Sequence, residues 1–420
     1  MKKNEYDIIV IGGGPSGMMA AGRAGELGAK VLLIEKNNRL GKKLSLTGGR
    51  RCNLTNAEPD NRLFLDNFPE SKKYLFSSLS QFNVEDTFRF FEDRGLPIII
   101  EDKKRAFPKS EKAEDVCRVL TDYIKESHQV EVKLNTALVS FVVNDGKLKG
   151  IETTSGVFYA PQIILATGGF AAPETGSTGE GVLMLSAIGH TVRDPDPNLV
   201  PLKTSAKWVH KLSGVSVDDV ALKFIQKDKV QHKVNGRILF THFGISGPTV
   251  INVAHVAKML LKKGSLTASI DLFPDHDLKS LDELVRELLE RHSKKQLKRV
   301  IKELMPKKLG ETIFETIKPD IAKVLANSLT KEQRKLLIST LKDLRFPITG
   351  TMGLDWSIVA DGGVVLKEVN FKTMTSKLFP NLYLIGDTIN INRPSGGFSL
   401  QLCWTMGWIA GTCAASSMQN

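Results

Sequence analysis

The sequence predicts an α/β protein organised on a parallel sheet, and three observations predict it. Four short apolar runs, Ile8–Ile11, Val31–Ile34, 163–165 and 382–385, have the unbroken hydrophobic character of strands buried on both faces. Three of them run straight into small or turn-forming residues, at Gly12, at Thr167-Gly168-Gly169 and at Gly386-Asp387. A long apolar helix pattern over about residues 398–415 follows the last.

The chain is too long for one core: 420 residues exceed the ~250–300 at which single cores stop growing, so two or three domains are expected. Hydrophobic residues make up 41% and charged residues 25%, an ordinary globular balance. No apolar run reaches the ~20 residues a membrane-spanning helix needs. Lys2 and Lys3 before an apolar stretch imitate a secretion signal, but Asp7 and the glycines fit a buried strand and turn better. Cys52, Cys117, Cys403 and Cys413 are scattered without C-x-x-C or zinc spacing, which argues against a metal site or disulfide relay and for a reducing, cytoplasmic compartment. The net charge of +12 is the unusual bulk feature. It reads either as a solvated basic surface or as attraction to a polyanion such as RNA.

The first strand opens G-x-G-x-x-G at Gly12, Gly14 and Gly17. The first glycine permits the tight turn, the second a close backbone approach to a pyrophosphate, and the third close helix–strand packing. A helix over 16–27 then points its positive end at the phosphates. Val31–Ile34 returns to the sheet, and Glu35 follows, 23 positions after Gly12, where a carboxylate takes ribose hydroxyls and repels a 2′-phosphate. Strand, turn, helix, strand and acid in register indicate dinucleotide binding.

That unit alone fits NAD or FAD. The far end of the chain separates them. Asp387 sits at a strand end, placed to accept hydrogen bonds from ribityl hydroxyls, and Ser395-Gly396-Gly397 opens the 398–415 helix, whose N–H groups suit the N1/O2 edge of a flavin. Residues 130–160 alternate in short β runs with turns at Asn144-Asp145-Gly146 and Ser155-Gly156, a β-meander of the kind inserted in two-dinucleotide flavoprotein folds. No second fingerprint follows a strand, since Gly176, Gly179 and Gly181 have the wrong spacing. The expected resident cofactor is therefore non-covalent FAD, with NADH or NADPH as a transient electron donor.

Five segments, "LGKKLSLTGGRRCNLTN" (40–56), "PETGSTGEG" (173–181), "NLVPL" (198–202), "LFTHFGISGP" (239–248) and "GGFSLQ" (396–401), occur in the order that resembles the BaiN/YhiN-like NAD(FAD)-utilizing flavoproteins. The resemblance spans nearly the whole chain. It implies a two-dinucleotide-type Rossmann FAD domain (1–189 and 350–420), a β-barrel-like insert (190–275 and 340–350) and a small helical domain (276–339). The sequence can be read that way: β-rich runs follow His190, and 282–341 is amphipathic with breaks at Pro306 and Pro319. Residues 346–363 return the chain to the sheet. One departure stands out: the family reads T-G-G-G-R-C-N where this chain has Arg50 in place of the third glycine, so Arg50 is strained if that position needs φ > 0.

Fingerprint and resemblance together place the cofactor on Gly12, Gly14, Pro15, Ser16, Gly17, Glu35, Lys36, Lys43, Thr47, Gly48, Gly49, Arg51, Cys52, Thr167, Gly168, Gly386, Asp387, Gly396, Gly397 and Phe398. The resemblance also implies one of three activities: reduction of conjugated C=C bonds in bile-acid intermediates, reduction of uridine to dihydrouridine in ribosomal RNA, or oxidation of aminoacetone. The first two share a scheme in which flavin N5 gives hydride to an alkene polarised by a carbonyl and an acid supplies a proton. Candidate catalytic residues are His242 as acid or substrate ligand, Arg51 (with Arg50) for oxyanion charge, and Cys52 as proton donor. Their bland counterparts are a loop histidine, arginines that hold pyrophosphate, and a packed thiol. His190 reads as structural, and Thr175, Ser177 and Thr178 as site-lining or turn residues. The basic segment 291–308, with Lys294, Lys295, Lys298, Arg299 and Lys302 on neighbouring helical turns, suits a phosphate backbone or, with Glu287, Glu290 and Glu303, a solvated helix. Charge tilts the expectation toward uridine in ribosomal RNA. The alternatives are a small-molecule ene-reductase or amine oxidase, and a non-catalytic RNA-binding flavoprotein.

Overall fold

The computed structural model describes residues 6–317, 321, 323–353, 356 and 359–418. Lys2, Lys3, Pro319 and part of the 346–363 return segment (354–355 and 357–358) lie outside the described residues. The chain divides into two compact units, Met1–Pro197 with Ile358–Asn420, and Asn198–Ser357.

The first unit is built on the expected parallel sheet. Strands β1 (Ile8–Ile11), β2 (Val31–Ile34), β3 (Val130–Lys133), β4 (Gln162–Leu165) and β5 (Leu382–Leu384) lie in the order β5-β4-β1-β2-β3, all parallel. Two antiparallel strands, Val369–Asn370 and Thr375–Ser376, extend the β5 edge. β1 and β2 are buried at every position, as continuous apolar runs demand when both faces are covered. Parallel register brings the C-terminal ends of β1, β2, β4 and β5 to one edge, the place where open α/β sheets hold ligands.

Helix α1 (Pro15–Glu26) starts from Gly14, whose extended backbone is followed by proline at the first helical position, and stops before Gly28 at φ 88°. Against it packs α3 (Phe398–Ser416), close to the span expected from sequence; α2 (Ala113–Glu126) also packs on α1. α3 is apolar over most of its surface because most of it is buried, and it carries Trp404 and the polar Gln401 into the interior. Two glycines let it approach: a Cβ on Gly407 would lie 2.5 Å from the Ser16 carbonyl oxygen, and one on Gly411 would lie 2.5 Å from that of Ala20.

The β-meander is Leu138–Asn144, Lys147–Thr153 and Gly156–Tyr159, with the first turn at Asp145 (φ 49°) and Gly146 (φ 67°). Residues 130–133, read from sequence as part of that meander, instead pair parallel to β2 in the main sheet. Between residues 55 and 108 the unit also holds a small three-stranded sheet and three helices that composition did not signal.

The second unit carries a seven-stranded sheet dominated by the hairpin Ser216–Gln226 and Lys229–Phe240. Its two end strands, Leu344–Ile348 and Gly350–Thr351, are neighbours along the chain, and no ladder joins them among the described residues. Helices Leu278–Arg291 and Lys331–Lys342 share one apolar core with this sheet, through Leu281, Val285, Leu337 and Leu341 beside Phe224 and Phe346. The basic segment 291–308 is not the continuous helix expected. The helix ends at Arg291, short helical turns follow at Leu297–Val300 and Ile301–Glu303, and the next helix begins at Lys307. Backbone pairing breaks it: Leu297 donates to the Val324 carbonyl at 2.9 Å and Ala326 to the Lys295 carbonyl at 2.9 Å, while Gln296 and Pro306 take extended ψ values.

Candidate active site

The site grows from the glycine turn. Gly12 has φ 106°, and a Cβ there would meet the Ala166 carbonyl oxygen at 2.5 Å; a Cβ on Gly17 would lie 1.9 Å from the Gly12 oxygen. Both must therefore be glycine for strand and helix to touch. Gly14 differs, since a Cβ there would meet nothing within 4 Å. The space beside it is open, at the N-terminus of a helix with no side-chain cap and no acid in its first turn. Uncapped N–H groups beside open space are what a pyrophosphate needs.

Glu35, 8% exposed at the end of β2, accepts from the Gly13 backbone N–H at 2.6 Å and from Asn37 N and Nδ2 at 2.8 and 2.7 Å. The carboxylate braces the turn as well as standing where a ribose would. Lys36 Nζ donates to Thr178 Oγ1 at 2.9 Å and pairs with Glu180 at 3.0 Å. Ser177 Oγ donates to the Gly169 carbonyl, and Thr175 Oγ1 to that of Ala172, so these hydroxyls fix their loop. His190 is buried between Glu368 (2.8 Å) and Ser376 (3.1 Å), a structural post.

At the ends of β4 and β5 the polar groups are unfinished. Thr167 Oγ1 is buried without a hydrogen-bond partner among the described residues, and buried Asp387 Oδ1 has the ion-pair contact with Arg393 but no hydrogen bond of good geometry. Gly386 (φ 67°) sits so close to α1 that a Cβ would lie 2.7 Å from Ser16 Oγ, which puts Asp387 beside the helix N-terminus. Arg393, 1% exposed, lies 3.0 Å from Asp387 Oδ1 through Nη1 and donates from Nη2 to the Gly386 carbonyl at 2.7 Å. Its Nε is also buried and unpartnered among the described residues. Lys43 Nζ bonds the Ala171 carbonyl at 3.0 Å and lies 3.8 Å from Asp387 Oδ2. Burial alone would raise the Asp387 carboxyl, but Arg393 and then Lys43 outweigh it and hold it below the usual aspartate range. Two cations around one carboxylate, at a helix N-terminus, leave the pocket positive. Arg393 escaped the sequence reading because an arginine after "ININ" looks like a surface residue; only burial reveals it.

The 47–52 loop winds left-handed. Gly48 (φ 57°), Gly49 (φ 68°), Arg50 (φ 71°) and Cys52 (φ 61°) all lie in the region that favours glycine, and the loop closes by Cys52 N–H to the Thr47 carbonyl at 3.0 Å. Arg51 is held outside it, paired with Glu101 and with Glu111 at 2.6 Å, its guanidinium over the Phe107 ring at 4.1 Å. Cys52 is fully buried, and burial pushes its thiol up to about 12 against a hydrogen bond with Thr47. Gly397 precedes α3 at φ 98°, and a Cβ there would lie 2.2 Å from the Thr55 carbonyl carbon. Gly396 has φ 109°. The Phe398 side chain packs with Phe64 and Phe68 at 4.9 and 6.0 Å.

His242 belongs to the second unit. It is exposed, packs edge-on against Phe243 at 4.9 Å, and lies 6.5 Å from Trp356.

The open space at Gly14, the uncapped helix, the orphaned Thr167 hydroxyl and the Asp387 carboxylate, which holds only ion-pair contacts, together fit FAD. Gly14, Ser16 and Gly17 would take the pyrophosphate, Glu35 a ribose, and Asp387 the ribityl hydroxyls. Among the described residues no three His, Cys, Asp or Glu side chains cluster as metal ligands, and no helix is long and apolar enough to cross a membrane.

The comparisons agree with this geometry. The HI0933-like protein Rossmann domain matches residues 6–413. The 3-dehydro-bile acid delta(4,6)-reductase of Clostridium scindens is 30% identical, covering 97% of this chain and 98% of its own. The ribosomal RNA dihydrouridine synthase of Escherichia coli is 28% identical over 96% of both. Among solved structures, 3-ketosteroid delta1-dehydrogenase from Sterolibacterium denitrificans superposes with a TM-score of 0.56 at 14% identity, covering 99% of this chain and all of that one, a likeness of fold. The chain belongs to the HI0933-like Rossmann-domain family of FAD-dependent oxidoreductases.

Proposed function

We propose that this enzyme reduces a carbonyl-conjugated C=C bond, and that its substrate is uridine in ribosomal RNA. The observation that carries the reading is that full-length relatives with different names, a bile acid reductase and a dihydrouridine synthase, point to one reaction. A 3-oxo-4,6-diene and the C5=C6 bond of uracil are both alkenes polarised by a carbonyl. The net charge of +12 favours the RNA of the two. When bound, FAD would supply hydride at N5, with NADH or NADPH as its proposed electron donor.

The chain's own residues bind and orient. Asp387, Arg393 and Lys43 form a positive anchor built on the buried Arg393 guanidinium. Of the three candidate catalytic groups, Arg51 is occupied by Glu101 and Glu111, and Cys52 keeps its proton in the interior. His242, exposed and without a ring hydrogen bond among the described residues, is the proposed acid.

The test is mass spectrometry of ribosomal RNA treated with the purified flavoprotein and NADH or NADPH. New dihydrouridine supports the reading, and its absence with either donor removes it. A small-molecule ene-reductase is the second reading, favoured by the identity to the bile acid enzyme. Turnover of a dienone steroid acid without any RNA product would establish it.

A further inference from the structure

The net charge is not spread over the molecule. Asn198–Ser357 holds 28 Lys and Arg against 17 Asp and Glu, whereas the remaining 260 residues hold 30 against 29. The flavin-binding unit is close to neutral, and the second unit carries almost the whole excess. A cofactor that is itself an anion does not account for cations placed in the other unit.

Within the second unit many acids are already matched. Asp271 takes Lys223 and Lys342, Asp282 takes Arg286 and Arg334, and Asp343 takes Arg345. The surplus collects where the basic segment folds back. Lys298 and Lys302 are four apart on successive helical turns, and Lys307 and Glu311 are four apart on the next helix, Lys307–Thr312. Lys302 Nζ bonds Glu311 at 2.9 Å. The Glu311 carboxyl lies below the usual range, first through that hydrogen bond and then through the charges of Lys302, Lys307 and Lys298. Lys308 Nζ reaches the Ser213 carbonyl at 3.1 Å, two residues along the chain from exposed Lys211 at the end of the helix Lys207–Lys211. Three lysines thus act on one carboxylate, and Lys308 ties their segment to the 211–213 turn. Two sequence-distant segments, near 211 and 298–308, are needed to make this patch.

We infer that the patch formed by Lys211, Lys298, Lys302, Lys307 and Lys308 is a docking surface for the phosphate backbone of RNA. The inference rests on the RNA reading above and adds where the RNA is held. Lysines suit this role because a compact ammonium on a flexible stem pairs with a phosphate as a point charge and reads no base. An acidic protein is the competing occupant, but it would present carboxylates with apolar contacts between them, and the patch is made of lysines around the single carboxylate of Glu311.

The experiment measures binding of a ribosomal RNA fragment by the FAD-loaded full chain at several salt concentrations. In one variant Lys211, Lys298 and Lys307, whose side chains make no hydrogen bond among the described residues, are changed to Gln. A matched variant changes Lys227, Lys229 and Lys233 of the hairpin, removing the same charge elsewhere. The patch variant should bind about tenfold more weakly near physiological salt, with the slope of log K against log salt falling by about 2–3 for three lost phosphate contacts. The hairpin variant should stay close to wild type, and both should retain flavin and melting midpoint. Equal losses in the two variants, or none in either, overturn the patch, as does loss of polyglutamate binding with RNA binding intact. The two readings fail separately. RNA bound through the patch without dihydrouridine formation refutes the reaction and keeps the surface. Dihydrouridine formed by the patch variant at unchanged kcat/KM refutes the surface and keeps the reaction.

Discussion

Arg50 holds a backbone φ of 71°, in a loop where Gly48 and Gly49 wind the same way. The left-handed conformation costs an L-residue with a side chain about 1–2 kcal/mol. Glycine removes that strain and gives back about 0.5–1 kcal/mol through the looser unfolded chain. Arg50→Gly should therefore raise stability by about 0.5–1 kcal/mol, a melting midpoint higher by about 1–4 °C in a scanning calorimeter. An unchanged or lower midpoint would mean that the Arg50 side chain makes a compensating contact. Asp387 makes the second residue-scale case. Asp387→Asn keeps the shape but leaves Arg393 facing a neutral amide, so FAD should bind roughly 10–100-fold more weakly, read by equilibrium dialysis. The pH dependence has a fixed sign: the folded carboxyl lies below its unfolded value, so its contribution is complete above the usual aspartate pKa of ~3.9 and is lost as pH falls through the lower, folded value. Wild-type stability should fall in that acid window, and the Asn variant should show a shallower fall there.

At the scale of elements, the contact between α1 and α3 positions the helix end that meets the phosphates. Gly407 faces the Ser16 carbonyl and the Met19 side chain, where an added Cβ would lie 2.5 and 2.9 Å away. Gly407→Val forces the helices apart in the first turn of α1, at a cost of about 1–3 kcal/mol or more. Flavin should leave the variant on gel filtration while the wild type keeps it. Retention of full flavin content would show that the helix end does not depend on this packing. The same elements show what a sequence can and cannot disclose. β1, α1, β2, β5 and α3 were legible because their patterns are local: an apolar run, a glycine turn, an apolar helix. β3 was assigned to the wrong sheet because its four residues state a strand but not a partner. The basic segment 291–308 carried a helical charge pattern, yet tertiary hydrogen bonds to residues 324–326 divide it.

Across the whole molecule, the charge count by unit needs only the sequence once the units are known, and the units come from packing alone. By itself the sequence determined the glycine turn, the acid 23 positions beyond it, a parallel sheet implied by four buried runs, and the placing of a remote Gly-Asp at the same ligand edge. These rest on short-range sterics, since a φ of 106° or a 1.9 Å approach admits only glycine and leaves its mark at one position. The tertiary structure alone decided that Arg393 is buried beside Asp387, that Arg51 is tied to Glu101 and Glu111, and that Lys308 reaches back to the Ser213 carbonyl. Those are pairings between residues distant in the chain. Burial and charge contact depend on what folds against a side chain, which no local pattern records.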